Sequence, residues 1–286
     1  MHRLHSIFVG LVALTLAVLA SAATPEINNK PRSTASNSVS VLTPPLVIPG
    51  LQRERTVRLY LPPSYATSNK RYPVLYMHDG QNLFDAATAY AGEWGVDETL
   101  DQLAKTSGLE LIVVGIDNGG VKRMTELNPW DHERFGKGEG AQYMDFIVKV
   151  VKPQIDATYR TLPGRDATGI MGSSMGGLIS HYAILQYPQV FSKAGIFSPA
   201  YWPGMAVFDM AAKQRPASDA RLALYMGGKE GGAVAYYERM LAQLKAQGHP
   251  VSQTCSKLTP NAQHNEAAWR AEFGAAVQWM FATTTP

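Results

Sequence analysis

A mostly parallel β sheet with helices on both faces is the architecture that this 286-residue sequence predicts, on three observations. Short, continuous apolar runs recur along the chain, segments of helical period alternate with them, and Gly- and Pro-rich turns separate the two. Continuous apolar runs suit strands covered on both faces. The length suits one large domain with a self-sufficient core. A charged fraction of 17% with 45% hydrophobic residues argues against wholesale disorder.

In chain order, residues 1–23 read as a secretory signal. Arg3, flanked by His2 and His5, precedes an uncharged apolar run from Ile7 to Ala20, and Ala20-Ser21-Ala22-Ala23 supplies small residues for cleavage. The alternative is an uncleaved anchor helix, but the run falls short of the roughly 20 residues a membrane span needs. No other stretch is apolar enough to enter a membrane. The expectation is therefore an exported protein, periplasmic or secreted, with no integral membrane segment after cleavage. Residues 24–45 are polar and rich in Pro and Ser, and read as a tether merging into a first edge strand. Residues 46–286 form the expected catalytic domain.

Within that domain Arg55 to Pro62 alternates polar and apolar residues, as a half-buried antiparallel strand does. Val74 to Met77, Leu111 to Ile116, Thr168 to Met171, Ala194 to Phe197 and Leu222 to Met226 are the continuous runs, and Val251 to Leu258 is a further strand. Helices are expected over Trp94 to Thr106, Gln142 to Tyr159, Met175 to Tyr187, Val234 to Gln247 and Ala267 to Ala282. Pro153 should kink or break the second of these. Right-handed crossovers place the C-terminal ends of the parallel strands on one edge of the sheet, where ligands bind. Each candidate site residue can thus be tested by whether it follows a strand or precedes one.

Composition narrows the chemistry. Lys+Arg 26 against Asp+Glu 23 gives a net charge of +3, too weak a field for a nucleic-acid partner. The lone Cys255 excludes an intramolecular disulfide and a thiolate zinc cluster. No metal-binding His-Glu-x-x-His, phosphate loop or calcium loop is written in the sequence, so neither a metal nor a nucleotide cofactor is expected.

Gly172-Ser173-Ser174-Met175-Gly176 fits Gly-x-Ser-x-Gly in the register that selects Ser174. A strand precedes it and a helix follows, the setting of a nucleophile elbow. Met175, just after the serine, would donate one backbone N–H to an oxyanion. The second donor should come from the loop after the Val74 strand, His78-Asp79-Gly80-Gln81, with Gly80 bending to aim the Gln81 N–H. A serine needs a base. His249 precedes a strand and fails the edge test, and His181 lies two turns into the elbow helix, where it packs or faces solvent. His264 follows the last strand and passes. For the acid that orients it, Asp219 precedes a strand and Glu238 lies within a helix, whereas Glu230 follows a strand in a Gly-rich turn; Asp209 is the runner-up. Asn128-Pro129-Trp130 and Tyr201-Trp202-Pro203 are aromatic loop segments suited to stacking on an aromatic or sugar-linked acyl group, or else to capping the core. Lys122 and Arg123 read as solvated surface cations, with contact to an acidic substrate as their other possible role.

The segments MHDGQNLFD, TGIMGSSMGGLIS, YPQVFSKAGIFSPAYW, LYMGGKE and HNEAAW together resemble the Putative esterase (esterase D-like) family, over about residues 46–283. That family has the α/β-hydrolase fold and includes feruloyl, acetylxylan and siderophore esterases, S-formylglutathione hydrolases and mycolyltransferases. The resemblance implies Ser174 as nucleophile, His264 as base and Glu230 as acid, with Gln81 and Met175 as oxyanion donors. It also puts Trp94 and the Asn128-Pro129-Trp130 loop near the substrate cleft. Members of known substrate often carry Asp at the acid position, and some siderophore esterases work with a Ser–His dyad; Glu230 departs from the commoner pattern. The function implied is a serine carboxylesterase acting on a small-molecule or glycan-linked ester. An acyltransferase on the same residues and a catalytically silent binding protein of the same fold are the alternatives.

Overall fold

The computed structural model describes residues 31–282. The expected signal, residues 1–23, lies outside them. Four short strands open the fold: β1 (Val39–Val41), β2 (Leu46–Ile48), β3 (Arg53–Arg55) and β4 (Val57–Tyr60). Next come β5 (Val74–His78), α1 (Val96–Ser107), β6 (Ile112–Ile116), α2 (Arg123–Glu126), α3 (Gly140–Phe146) and α4 (Lys152–Thr158). The chain then continues through β7 (Thr168–Ser173), α5 (Met175–Gln186), β8 (Lys193–Phe197), α6 (Ala206–Lys213), β9 (Arg221–Gly227), α7 (Ala233–Ala246), β10 (Thr254–Thr259) and α8 (Glu266–Phe281).

The main sheet has the order β1-β4-β6-β5-β7-β8-β9-β10. All pairs from β6 to β10 are parallel, and β1 and β4 join antiparallel at one end. The central strands β5, β6 and β7 are buried at every residue, which is why they read as unbroken apolar runs. Alternate residues feed two cores: Val74 and Tyr76 pack with α3 and α5 on one face, Leu75 and Met77 with α1 and α8 on the other. Helix α5 is buried from Met175 to Leu185, so it carries no polar stripe. After β5 the chain builds β6 on one side of it and β7 on the other. The crevice between the C-terminal ends of β5 and β7 is therefore the switch point of the sheet, where α/β folds place ligands.

Three stretches differ from the sequence expectation. The helix expected over 142–159 is α3 and α4 joined by a π turn at Ile147–Val151. Pro153 has no N–H to give the carbonyl of Lys149, and the wider turn before it absorbs the mismatch. The last strand starts later than expected because Val251–Gln253 forms a 3₁₀ turn, and it is a largely exposed edge. The polar segment before residue 45 is fastened down from Ser33 onward. Ser33 Oγ donates to Asp85, Thr34 Oγ1 to Glu93 and the Ser36 N–H to Asp97, at 2.9, 2.7 and 2.8 Å. Among the described residues, no helix is long and apolar enough to cross a membrane.

Strand β3 is pinned to α2 by buried charge. Arg55 donates to both oxygens of Glu126 at 2.9 and 2.8 Å, and Arg53 adds a third bond at 2.9 Å. Arg55 and Glu126 are 4% and 1% exposed, so neither can turn to water. Removing one partner strands the other charge. Glu126→Ala should therefore lower the free energy of unfolding in urea by about 3–5 kcal/mol. A loss well under 1 kcal/mol would contradict the burial of the pair.

Candidate active site

The elbow begins where β7 ends. Ser174 has φ 58° and ψ −120°, a conformation costly for any residue with a side chain. Its backbone is held on three sides: its N–H donates to Phe197 O, and its carbonyl accepts from the N–H groups of Leu178 and Ala200. Gly172 makes the turn possible, since a Cβ there would lie 2.9 Å from the Gly176 backbone. Met175 is the first residue of α5, so its N–H has no acceptor inside the helix and sits at the positive end of the helix dipole.

The loop after β5 stands beside it across the switch point. Asp79 adopts left-handed backbone, φ 57°, and its carboxylate is gripped by Arg123 at 2.6 and 2.9 Å and by the Asn118 side chain at 2.7 Å. Burial pushes the Asp79 carboxyl up, but the Arg123 guanidinium and the bonds it makes outweigh this and hold it below its ordinary value. Gly80 then turns against the neighbouring strand, where a Cβ would lie 2.8 Å from the Gly115 carbonyl carbon and 2.9 Å from the Asp117 nitrogen. The turn is closed by the N–H groups of Asn82 and Leu83, which leaves that of Gln81 over. The Gln81 side chain is spent holding the loop, its Oε1 accepting from the Asn118 N–H at 3.0 Å.

Glu230 and His264 come together. The Nδ1–H of His264 donates to Glu230 Oε2 at 2.6 Å. The other oxygen, Oε1, accepts from Ser198 Oγ at 2.6 Å and from the Gly227 N–H at 2.8 Å. The Glu230 side chain is 1% exposed and that of His264 43%, so the acid is buried while the imidazole stays open to a ligand. Burial raises the Glu230 carboxyl, but the bonds from His264, Ser198 and Gly227 outweigh it and keep the group below its ordinary value. With Nδ1 carrying the proton, neutral His264 has Nε2 free to accept one. The Trp269 ring stands edge-to-face against the imidazole, centroids 5.0 Å apart.

Two clefts meet at Ser174 and His264, which line both. The first, of about 540 Å³, contains the polar groups of Asp79, Gln81, Asn118, Arg123 and Glu266 between walls that include Trp94 and Trp269. The second, of about 440 Å³, is lined by Ser198, Pro199, Ala200, Trp202, Ala233 and Tyr236. Of the three tryptophans expected near substrate, Trp202 is 47% exposed in the second cleft. Trp94 is 3% exposed, packed among Phe197, Trp269 and Phe273, and reaches the first cleft only as part of its wall. Trp130 lines neither cleft and packs edge-on against Tyr182. Arg123, expected in solvent, instead points into the first cleft from its ion pair with Asp79.

The rejected candidates lie elsewhere. His181 is buried with Nδ1 2.8 Å from the Tyr201 hydroxyl, and burial lowers its pKa to about 4. His249 precedes β10 at the opposite edge, Asp219 pairs there with Arg165, and Asp209 and Glu238 are exposed on α6 and α7. Sequence reasoning missed Asp79, Asn118 and Ser198 as site residues. Asp79 lay within the quoted loop, but its role appears only once Arg123 is seen to turn inward.

The chain matches the family described as Putative esterase over residues 48–280. It is 29% identical over 242 residues to the uncharacterized protein YbbA of Bacillus subtilis (strain 168), covering 79% of this chain and 92% of YbbA. The fold is similar to that of the BES protein from Bacillus cereus, with TM-score 0.69 at 15% identity, over 88% of this chain and 98% of that one. It is also similar to the enterobactin esterase FES from Shigella flexneri, with TM-score 0.67 at 18% identity, over 87% of this chain and 60% of that one. The parallel sheet, the switch-point crevice and the family match lead to one conclusion: the chain belongs to the Putative esterase family, an ester hydrolase of the α/β-hydrolase fold.

Proposed function

We propose that the protein is an exported serine carboxylesterase that hydrolyses its substrate through an acyl-enzyme on Ser174. The observation that carries this reading is the strained Ser174 sharing two clefts with an imidazole whose far nitrogen is 2.6 Å from a buried carboxylate. His264 Nε2 takes the Ser174 proton as Oγ attacks the ester carbonyl. The carbonyl oxygen becomes an oxyanion that the N–H groups of Met175 and Gln81 receive, neither of which is spent on a backbone acceptor. His264 then gives the proton to the departing alkoxide, and the alcohol leaves. Water repeats the cycle on the acyl-enzyme and frees the carboxylic acid. Glu230 keeps the proton on Nδ1 throughout and stabilises the imidazolium.

The two clefts suit the two ends of an ester, one carrying charged and amide side chains and one mainly apolar. A small-molecule ester or a glycan-linked one fits that division, with Trp202 as the surface for a flat ring. Export rests on the apolar run and small-residue site within residues 1–23.

Ser174→Ala should fold normally and lose roughly a millionfold in kcat on p-nitrophenyl acetate. His264→Ala should be comparably inactive and His249→Ala near normal, and the reverse ranking would refute the assignment of the base. Gly80→Ala should displace the Gln81 amide and cost about 100- to 1,000-fold in kcat, the usual loss for one oxyanion donor; an unchanged kcat would remove Gln81 from the oxyanion site. Asp79 has a native pKa below its unfolded one, so its ionised form stabilises the fold. That contribution is complete above the ordinary Asp value of about 3.9 and is lost as the pH falls from there through the lowered native value. Urea unfolding of wild type and Asp79→Asn should show a stability gap that is constant at neutral pH and narrows in this acid range. A gap that widens on acidification would contradict the ion pair with Arg123.

A further inference from the structure

Behind Glu230 lies a chain of donors that the mechanism above does not use. The indole Nε1–H of Trp269 donates to Ser198 Oγ at 2.9 Å, and Ser198 Oγ is 2.6 Å from Glu230 Oε1. An indole nitrogen can only donate, so the Ser198 oxygen accepts from it and directs its single proton at the carboxylate. Glu230 thus receives Ser198 and Gly227 on one oxygen and His264 on the other. Three donors from three segments fix both the position and the plane of the carboxylate.

Two features argue that the hydroxyl of Ser198 is there for this purpose. Its backbone is held at φ 40°, a conformation that glycine adopts at far lower cost. A side chain at such a position is explained by what it bonds. The strain is sustained by the Ser198 N–H, which donates to Tyr225 O on β9 at 2.8 Å. The same Trp269 that orients Ser198 also stands against the imidazole of His264, so one side chain contacts the base directly and the acid through Ser198.

We infer that Ser198 and Trp269 are positioning residues, a relay of hydrogen bonds that holds Glu230 in the orientation at which it fixes the His264 imidazole. The inference rests on the proposed roles of Ser174, His264 and Glu230. A merely structural role would be for Ser198 to satisfy a buried indole N–H, with no consequence for the base.

The experiment is a mutant cycle on the full-length protein with p-nitrophenyl acetate, reading kcat and KM separately. Ser198→Gly relieves the backbone strain and removes the CH2OH side chain, and with it the hydroxyl that bonds Glu230. It should lower kcat by about tenfold, the scale of one lost hydrogen bond to a charged group, and leave KM within about twofold. In a Glu230→Gln background the same substitution should cost less than about twofold more, because Ser198 acts through the carboxylate. Trp269→Phe keeps the ring against His264 and loses the N–H; it should cost a smaller factor, about threefold, again only when Glu230 is present. A Ser198→Gly protein with wild-type kcat, or a tenfold loss that multiplies undiminished onto Glu230→Gln, overturns the relay. Should Ser198→Gly fail to fold, Trp269→Phe alone and with Glu230→Gln gives the same decision. Wild-type turnover by Ser174→Ala or His264→Ala would instead overturn the functional reading beneath it.

Discussion

The forced backbone at Ser174 is the constraint to which the rest of the fold answers. A residue with a side chain at φ 58° and ψ −120° costs on the order of 1–3 kcal/mol, and it persists only where its surroundings overdetermine it. Here they do. Helix α5 starts at the next residue and is buried from Met175 to Leu185, so the turn cannot relax without lifting an entire helix out of the core. Bonds from Phe197, Leu178 and Ala200 fasten the serine backbone to β8, to the helix and to the loop beyond β8. The strained turn also does two things at once. It raises the hydroxyl above the sheet edge and leaves the Met175 N–H at the start of a helix.

The second constraint is electrostatic. A carboxylate 1% exposed would ordinarily give up its charge, yet Glu230 stays ionised because three donors surround it. Asp79 meets the same difficulty through Arg123 and Asn118. The two buried acids serve different ends of the crevice. Asp79 anchors the loop that carries Gln81, and Glu230 holds the imidazole by its Nδ1–H. Both use burial to gain rigidity and hydrogen bonds to keep their charge.

Much of this was legible in the sequence, for identifiable reasons. Strands such as Val74–His78 and Ile112–Ile116 are covered on both faces, and such strands must be apolar throughout. The edge test separated His264 from His249 and Glu230 from Asp219 because parallel strands put all their C-terminal ends on one side. What stayed hidden depends on long-range pairing. Arg123 reads as a surface cation until Asp79, 44 residues earlier, is found beneath it. Ser198 carries no pattern at all, since a left-handed φ cannot be read from a serine. Trp130 shares its loop setting with Trp202, but packing against Tyr182 turns it away from both clefts. The π turn before Pro153 is a local response to a missing N–H, visible in sequence only as a break.

The two clefts bear on the form of the substrate. In the proposed mechanism an ester carbonyl attacked by Ser174 projects its oxygen toward the Met175 and Gln81 amides, so its two substituents leave along the remaining directions. Two clefts meet at the serine to receive them, and their walls differ. One contains a paired Asp79 and Arg123, whose charges largely cancel, beside Asn118 and Glu266. The other is built from Pro199, Ala200, Ala233, Tyr236 and the half-exposed Trp202. A cleft lined by carboxylate, amide and guanidinium groups selects by hydrogen bonding, and an apolar cleft selects by shape. The proposed function therefore favours an ester with two chemically dissimilar ends, one rich in hydroxyl or amide groups and one flat or aliphatic, which would occupy both clefts without burying an unpaired polar group.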